Sequence, residues 1–359
     1  MSTEVQADGK ELQPLDNGRR LEGTSVGAAA LGRVLAPRHL DLVDTIELPV
    51  TGPFDRLHTL WKPSHFATGL EAHTTTDSWR TFRVEELVCG VHLRQEAPEV
   101  LVAALHTDGE WKPDHRQALA RRLTTGYGLQ EDPSEFIDLA SRVPAMRGPL
   151  AALAGMRQSC PEDLFDIAVV ALLLQNTTIA RTTQMMRNLL IHYGHLVSFA
   201  GITLRAFFTP REIADIPAQT FKEADRLGYR DKYLPRFAEF FTANDLATLG
   251  DDPALTTRFQ EIKGVGPYTA GVIASHASRD PSAVGLDVWN TKLLARRLLD
   301  KDSATQEEVR HQLGELFPGH QGTAALYLVE HDYLATPVAP LLDARHLAAW
   351  NHALEDPAA

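Results

Sequence analysis

In Phe259-Gln260-Glu261-Ile262-Lys263-Gly264-Val265-Gly266-Pro267-Tyr268-Thr269-Ala270 a helical pattern stops at two glycines one residue apart and restarts at a proline. Glycine accepts the left-handed or tight backbone that such a stop requires, and proline suits a first helical position because its missing N–H is no loss there. The first amides of the restarted helix have no partner inside it. They can therefore hold an anionic oxygen, with Lys263 beside them, and sequence-independent contact with a nucleic-acid backbone is a natural use. The same residues also fit a plain helix hairpin whose glycines only turn the chain. A dinucleotide site is disfavoured, because the segment before the glycines reads as helix and Thr269 stands where a third glycine belongs; a Gly-Lys-Ser/Thr ending of a nucleoside-triphosphate loop is missing too.

Twenty-one residues after Gly266 comes Asp287, set in Val284-Gly285-Leu286-Asp287-Val288-Trp289. At the junction of an extended apolar segment with a helix, its carboxylate suits an N-cap. A capping carboxylate stays ionised, so it can also stabilise a cationic sugar as an N-glycosidic bond loosens and orient or deprotonate water. The two uses are compatible.

Helical periodicity dominates on either side of this stretch. It predicts helices at 115–123, 133–142, 164–174, 177–192, 219–227, 233–242, 253–262, 267–277, 288–298, 305–316 and 323–334. The segment 164–174 is apolar almost all round, which marks a central core helix. The front differs. Val43-Asp44-Thr45-Ile46-Glu47-Leu48 alternates with the period of a half-buried strand, 79–87, 91–94 and 100–105 are further strands, and Asp108-Gly109 is a turn. The expected fold class is α+β: a small antiparallel sheet domain over 39–112, then an all-helical domain over 113–345 that contains the hairpin. Residues 1–38 read as a flexible lead and 346–359 as a tail.

With 359 residues and 44% hydrophobic content the chain can bury substantial cores. The net charge of -12 argues against a protein that coats nucleic acid non-specifically, although Lys222, Arg226, Arg230, Lys232 and Arg236 form a local basic stripe with a surplus of two positive charges over Glu223, Asp225 and Asp231. Two cysteines, Cys89 and Cys160, are too few for an iron–sulfur cluster or a four-thiolate zinc site, and are expected as free buried thiols. Lacking a long apolar run or a signal-like start, the chain is expected in the cytoplasm with no membrane partner. Glu330-His331-Asp332 point in different directions on a helix and make no metal cluster; His331 reads as a surface or capping histidine. Trp289 reads as packing on its own helix. His276, Trp61, Trp79 and Trp111 have no partner visible in the sequence.

Residues 264–271 followed by Leu286-Asp287-Val288 resemble the helix-hairpin-helix (HhH-GPD) DNA glycosylase superfamily, nearest its 3-methyladenine and 8-oxoguanine branches. The resemblance extends through Leu173-Leu174-Gln175-Asn176-Thr177-Thr178-Ile179-Ala180-Arg181 and Leu227-Gly228-Tyr229-Arg230-Asp231-Lys232-Tyr233, covering 155–335, and the strand-rich front resembles the N-terminal domain of those branches. It implies that Asp287 is catalytic, that Lys263, Gly264, Val265, Gly266 and Thr269 hold DNA, and that Gln175 and Asn176 fill the gap left by an extruded nucleotide. Asn176 also reads as the N-cap of the helix after it. The backbone carbonyls of Gln260, Ile262 and Val265 are implied as ligands of a structural K+ or Na+; no other cofactor is expected. Tyr268 stands where strand-cleaving members carry a nucleophilic lysine, and a phenol cannot form a Schiff base, so simple base release by water is expected. Tyr268 reads equally as a half-buried core aromatic.

The implied base pocket comprises Tyr268, Val272, Ala325 and Val329. Ala325 and Val329 replace an amide and an aromatic of the 8-oxoguanine enzymes, and so favour an alkylated purine. The expected activity is monofunctional hydrolysis of a damaged base from double-stranded DNA by a monomer. Alternatives are a non-catalytic DNA-structure binder and an N-glycosidase for oxidised or mismatched bases, RNA or a nucleoside.

Overall fold

Alternating apolar residues build the front of the protein in the computed structural model, which describes residues 36–244, 254–339, 341–343 and 346–347. The strands β1 (Arg38–His39) and β2 (Asp41–Pro49) lead to a one-turn helix α1 (Arg56–Leu60), followed by β3 (Glu71–His73), β4 (Ser78–Val84), β5 (Leu87–Ala97) and β6 (Val100–Thr107). All but β1 join one antiparallel sheet in the order β2-β6-β5-β4-β3. On one face, α2 (Pro113–Gly126) packs Leu119 and Leu123 against Val91, Leu93, Leu101 and Leu105.

The other face meets a second sheet. It is formed by β1, β7 (His195–Phe199) and β8 (Ile202–Ala206), with β1 parallel to β7. Gly90 allows the close approach, since a Cβ there would lie 2.5 Å from the Phe199 ring. Thr81 Oγ1 donates to the Arg205 carbonyl at 2.7 Å and Arg83 Nε to that of Phe207 at 2.8 Å, sealing the two sheets at one edge. This hairpin lies inside the span read as wholly helical, and corrects that reading. Its turn uses Ala200 at φ 45° and Gly201 at φ 79°, and alanine is not a residue that signals a left-handed turn.

The helices continue with α3 (Ser134–Ser141), α4 (Arg147–Ala152), α5 (Leu164–Leu174), α6 (Ile179–His192), α7 (Pro210–Ala214), α8 (Ala218–Glu223), α9 (Leu234–Ala243), α10 (Leu255–Glu261), α11 (Pro267–Ser278), α12 (Val288–Leu299), α13 (Gln306–Leu316) and α14 (Gln321–Tyr333). They surround two apolar cores. One is centred on α5, as a sequence apolar but for Asp166 requires, and draws Met185, Phe237, Phe259 and Ile273 from α6, α9, α10 and α11. The second gathers Phe136, Leu294, Leu313, Phe317 and Leu328 from α3, α12, α13 and the C-terminal part of the chain. Residues 279–287 pass from α11 in the first core to α12 in the second, and so carry Asp287 to the boundary between them.

The described residues, from 36 onward, belong to one compact unit. Two buried groups fasten the front sheet to the helices. Glu330 of α14 accepts from the Ser64 amide at 3.0 Å and the Ser64 hydroxyl at 2.6 Å, so the Glu330-His331-Asp332 triplet is partly an anchor. The buried guanidinium of Arg157 donates to the carbonyls of Thr51, Pro53, Gly128 and Glu131, and its own amide donates to Thr59 Oγ1. Cys89 and Cys160 are buried free thiols, as the sequence leads one to expect.

Candidate active site

The chain leaves α10 at Ile262 and enters α11 at Pro267, with Gly266 as the N-cap. Gly264 takes φ 106°, and a Cβ there would lie 2.4 Å from the Tyr233 ring, so both conformation and space demand glycine. Gly266 faces open space. The amide of Val265 is not available to an anion, because it donates to the Ile262 carbonyl at 3.0 Å. That corrects its place among the backbone donors; its buried side chain serves the first core instead. Among the described residues the amides of Gly264, Gly266 and Thr269 have no acceptor, and exposed Lys263 adds positive charge next to them.

Gln175 and Asn176 separate in role. Gln175 caps α5, and its Nε2 donates to the Gly264 carbonyl at 3.2 Å and to Thr269 Oγ1 at 3.1 Å, so it braces the hairpin. Its own carbonyl accepts from Arg230 Nη2 and, at 3.4 Å, from the Tyr229 hydroxyl. Arg230 is buried and spends its donors on this turn and on the carbonyls of Leu172 and Leu227, which removes it from the basic stripe. Asp225 is buried as well, held by His192 Nδ1 at 2.7 Å and the Tyr193 hydroxyl at 2.9 Å, so the local surplus of positive charge is unchanged. Asn176 is exposed at φ 45° and does not cap α6; Thr178 does, accepting from the Arg181 amide. Around Asn176 the apolar side chains of Leu174, Ile179 and Tyr229 are all exposed.

Asp287 is the N-cap of α12. Its Oδ1 accepts from the Asn290 amide at 2.8 Å, Asn290 Oδ1 accepts from the Asp287 amide at 2.7 Å, and Asn290 Nδ2 reaches back to the Gly285 carbonyl at 2.9 Å. This reciprocal box fixes the carboxylate while leaving Oδ2 without a hydrogen-bond donor among the described residues. Asp287 is exposed, and an anion there lies at the positive end of the helix. Trp289 does not pack wholly on its helix: it is 44% exposed and its ring lies 4.9 Å from that of Tyr333. Burial first, then the charge of Asp287 and of Glu330, raises the Tyr333 phenol. An aromatic pair therefore flanks the carboxylate. The sequence carries no local signal for it, because Tyr333 comes from α14.

Of the four pocket residues, Val272 lies at the first core and Ala325 and Val329 at the second. Val272, on α11, packs against the first core and remains half-buried. Ala325 is buried inside the second core and Val329 packs against it, so neither presents an open apolar wall. The side chain of Tyr268 lies outside the described residues, and only its place in the first turn of α11 is available. His331 is half-buried with Nδ1 unpaired, which corrects the surface reading, and its Nε2 would lie 3.2 Å from a Cβ on Gly148. Trp79 finds its partner in His92, stacked at 4.9 Å, and Trp61 and Trp111 donate to the Ala339 carbonyl and Asp44. Among the described residues, His, Cys, Asp and Glu form no group able to hold a metal ion.

Residues 169–319 match the family model described as HhH-GPD superfamily base excision DNA repair protein, a span that includes the Gln175 turn, the hairpin and Asp287. A DNA-3-methyladenine glycosylase of Bacillus subtilis is 21% identical over 193 residues, which is 50% of this chain and 59% of that protein. The chain thus spans less than two thirds of that relative. The fold is similar to that of a 3-methyladenine DNA-glycosylase from Archaeoglobus fulgidus, with a TM-score of 0.68 at 16% identity, covering 81% of this chain and 99% of the other. It is also similar to an 8-oxoguanine glycosylase/lyase of Clostridium acetobutylicum, solved with double-stranded DNA containing cytosine opposite 8-oxoguanine, with a TM-score of 0.53 at 18% identity over 74% of this chain and 98% of the other. The segment that holds the braced hairpin and the capping aspartate, residues 169–319, is thus similar to the HhH-GPD superfamily of base excision DNA repair proteins.

Proposed function

We propose that this protein is a monofunctional DNA N-glycosylase that hydrolyses an alkylated purine from double-stranded DNA. The observation that carries the reading is Asp287, an exposed carboxylate locked by its capping box and delivered by the segment that follows the hairpin helix. The hairpin amides and Lys263 grip a phosphate, and the exposed Asn176 enters the duplex where the damaged nucleotide leaves. With the base extruded, Asp287 Oδ2 stabilises the positive charge that grows on the sugar and orients the attacking water. The cationic base departs with the bonding electron pair as a neutral heterocycle, the sugar carbon gains hydroxyl from water, and the proton that the water loses passes through Asp287 to solvent. The Trp289–Tyr333 pair offers ring faces to an electron-poor alkylated base, a preference that neutral oxidised bases satisfy less well.

A phenol at position 268 supplies no amine for a Schiff base, which supports release without strand cleavage. A monovalent cation belongs to the proposal: the carbonyls of Gln260 and Val265 accept no hydrogen bond among the described residues, and that of Ile262 keeps a lone pair after accepting from Val265. Such an ion would add positive charge behind the phosphate.

The test compares wild type with Asp287→Asn on duplexes carrying alkylated, deaminated or oxidised bases. Base release from the alkylated duplex is expected to fall at least about 100-fold in the variant, with DNA affinity retained. The product strand should stay intact until heated in alkali. Absence of release from any duplex by the wild type would refute the proposal, and strand breaks before alkali would refute its monofunctional part.

A further inference from the structure

On α11, Tyr268, Val272 and His276 follow one another at intervals of four, so their Cα atoms share one face of the helix. That face is only half-buried at Val272, Ser275 and His276, whereas Ala270 and Ile273 of the same helix are fully buried in the first core. His276 lies about 12 Å along the axis from Tyr268. Helical side chains lean towards the N-terminus, so its ring reaches back along this face towards Val272.

The ring meets a prepared charge. His276 Nε2 is 3.5 Å from Glu162 Oε2, a buried oxygen that has no hydrogen-bond donor. Glu162 Oε1 accepts from Arg80 Nη2 at 2.7 Å, and Arg80 in turn pairs with Glu71, behind which His73 lies 3.8 Å away. Burial alone would raise the Glu162 carboxyl, yet Arg80 and then His276 hold it far below the usual range, so it is an acceptor only. An orphaned buried carboxylate oxygen demands a donor, and the nitrogen facing it is His276 Nε2. A ring proton is thereby placed on Nε2, facing that acceptor. In the tautomer with that single proton Nδ1 is a lone-pair acceptor, and it has no partner among the described residues.

We infer that His276 reads the flipped base, with Glu162 as its positioning residue: Nδ1 accepts a hydrogen bond from an exocyclic amino group, so that adenine-type bases are selected over bases with a keto oxygen at the same position. This rests on the glycosylase reading above and deepens it by naming the edge that is recognised. A keto oxygen opposite an acceptor leaves both unpaired, which penalises the wrong base as well as rewarding the right one.

The experiment measures kcat/KM for release of an N-methylated adenine and of an N-methylated guanine from otherwise identical duplexes. His276→Ala is expected to lose roughly tenfold on the adenine, about the scale of one net hydrogen bond, and to change little on the guanine. His276→Asn, whose amide oxygen can replace Nδ1, should restore part of the discrimination. Glu162→Gln should lower discrimination while thermal unfolding reports whether the fold survives, and in the His276→Ala background it should lower it no further. Equal losses on both bases, or a loss confined to the keto base, overturn the inference.

A second readout is independent of turnover. Free 3-methyladenine is titrated into protein carrying 15N-labelled histidine, with the His276 signals assigned by their loss in His276→Asn. A shift of the His276 Nδ1 resonance is expected. If that shift occurs while the wild type releases no base, the recognition stands and the proposed reaction falls; if it does not occur, the recognition falls whatever the turnover.

Discussion

Asn176 stands at φ 45°, a left-handed conformation that an ordinary side-chain-bearing residue avoids. The strain is held in place by the braced Gln175 before it and the capped helix after it, and it points an amide side chain into solvent. Asn176→Gly should therefore keep or raise stability, by at most about 1 kcal/mol, while base release falls at least tenfold, roughly the loss expected on removing a wedge that fills the stack. Denaturant unfolding and a base-release assay on the same samples check both halves. A drop in stability together with activity would mean that Asn176 is needed by the fold alone. The sequence placed Gln175 and Asn176 side by side but could not divide their tasks, since the Gly264 carbonyl that claims Gln175 lies 89 residues away. Asp287 was legible because the capping chemistry is local; Tyr333 beside it was not, because nothing in its own helix refers to Asp287.

The hairpin tests itself as an element through its two glycines. Gly264→Ala meets both an adverse φ and the Tyr233 ring, and should destabilise by about 1–3 kcal/mol, seen as a lower thermal midpoint. Gly266→Ala has φ -85° and open space around it, so it should leave the midpoint nearly unchanged. Its added methyl group would stand in the way of the proposed phosphate contact. DNA affinity measured by fluorescence anisotropy should accordingly fall for both variants, and for Gly266→Ala without loss of stability. Should Gly266→Ala bind normally, the turn would be structural only. Most helices were readable at this scale from spacing of apolar residues, α5 to the residue. The β7–β8 hairpin escaped because its turn is Ala200-Gly201 and its pairing with β1 spans more than 150 residues.

For the whole molecule, the net charge of -12 conceals how the acids are deployed. Burial would raise the Glu71 carboxyl, but Arg80 and then His73 hold it down to about 2, and Glu162 is depressed in the same way. Their folded pKa values lie below the unfolded ones, so their stabilisation is complete above the unfolded value near 4.5 and is lost as the pH falls towards 2. Asp166 acts oppositely: burial and then Asp163 raise it to about 8, so its contribution falls as the pH rises from the unfolded value near 3.8 to about 8. Thermal midpoints should drop steeply between pH 4.5 and 2, and Glu71→Gln should flatten that drop. An unchanged acid limb in the variant would show that Glu71 is not ion-paired in solution.

The buried guanidinium of Arg157 gathers four carbonyls from two stretches of chain, 51–53 just after β2 and 128–131 just after α2. The Gly128 carbonyl also accepts from the Glu131 amide at 3.0 Å, but those of Thr51, Pro53 and Glu131 have no other donor among the described residues, so drawing Arg157 away would strand them. Front and rear are therefore expected to melt as a single cooperative unit, so that the strand-rich part could not be lost or exchanged while the helices keep their shape.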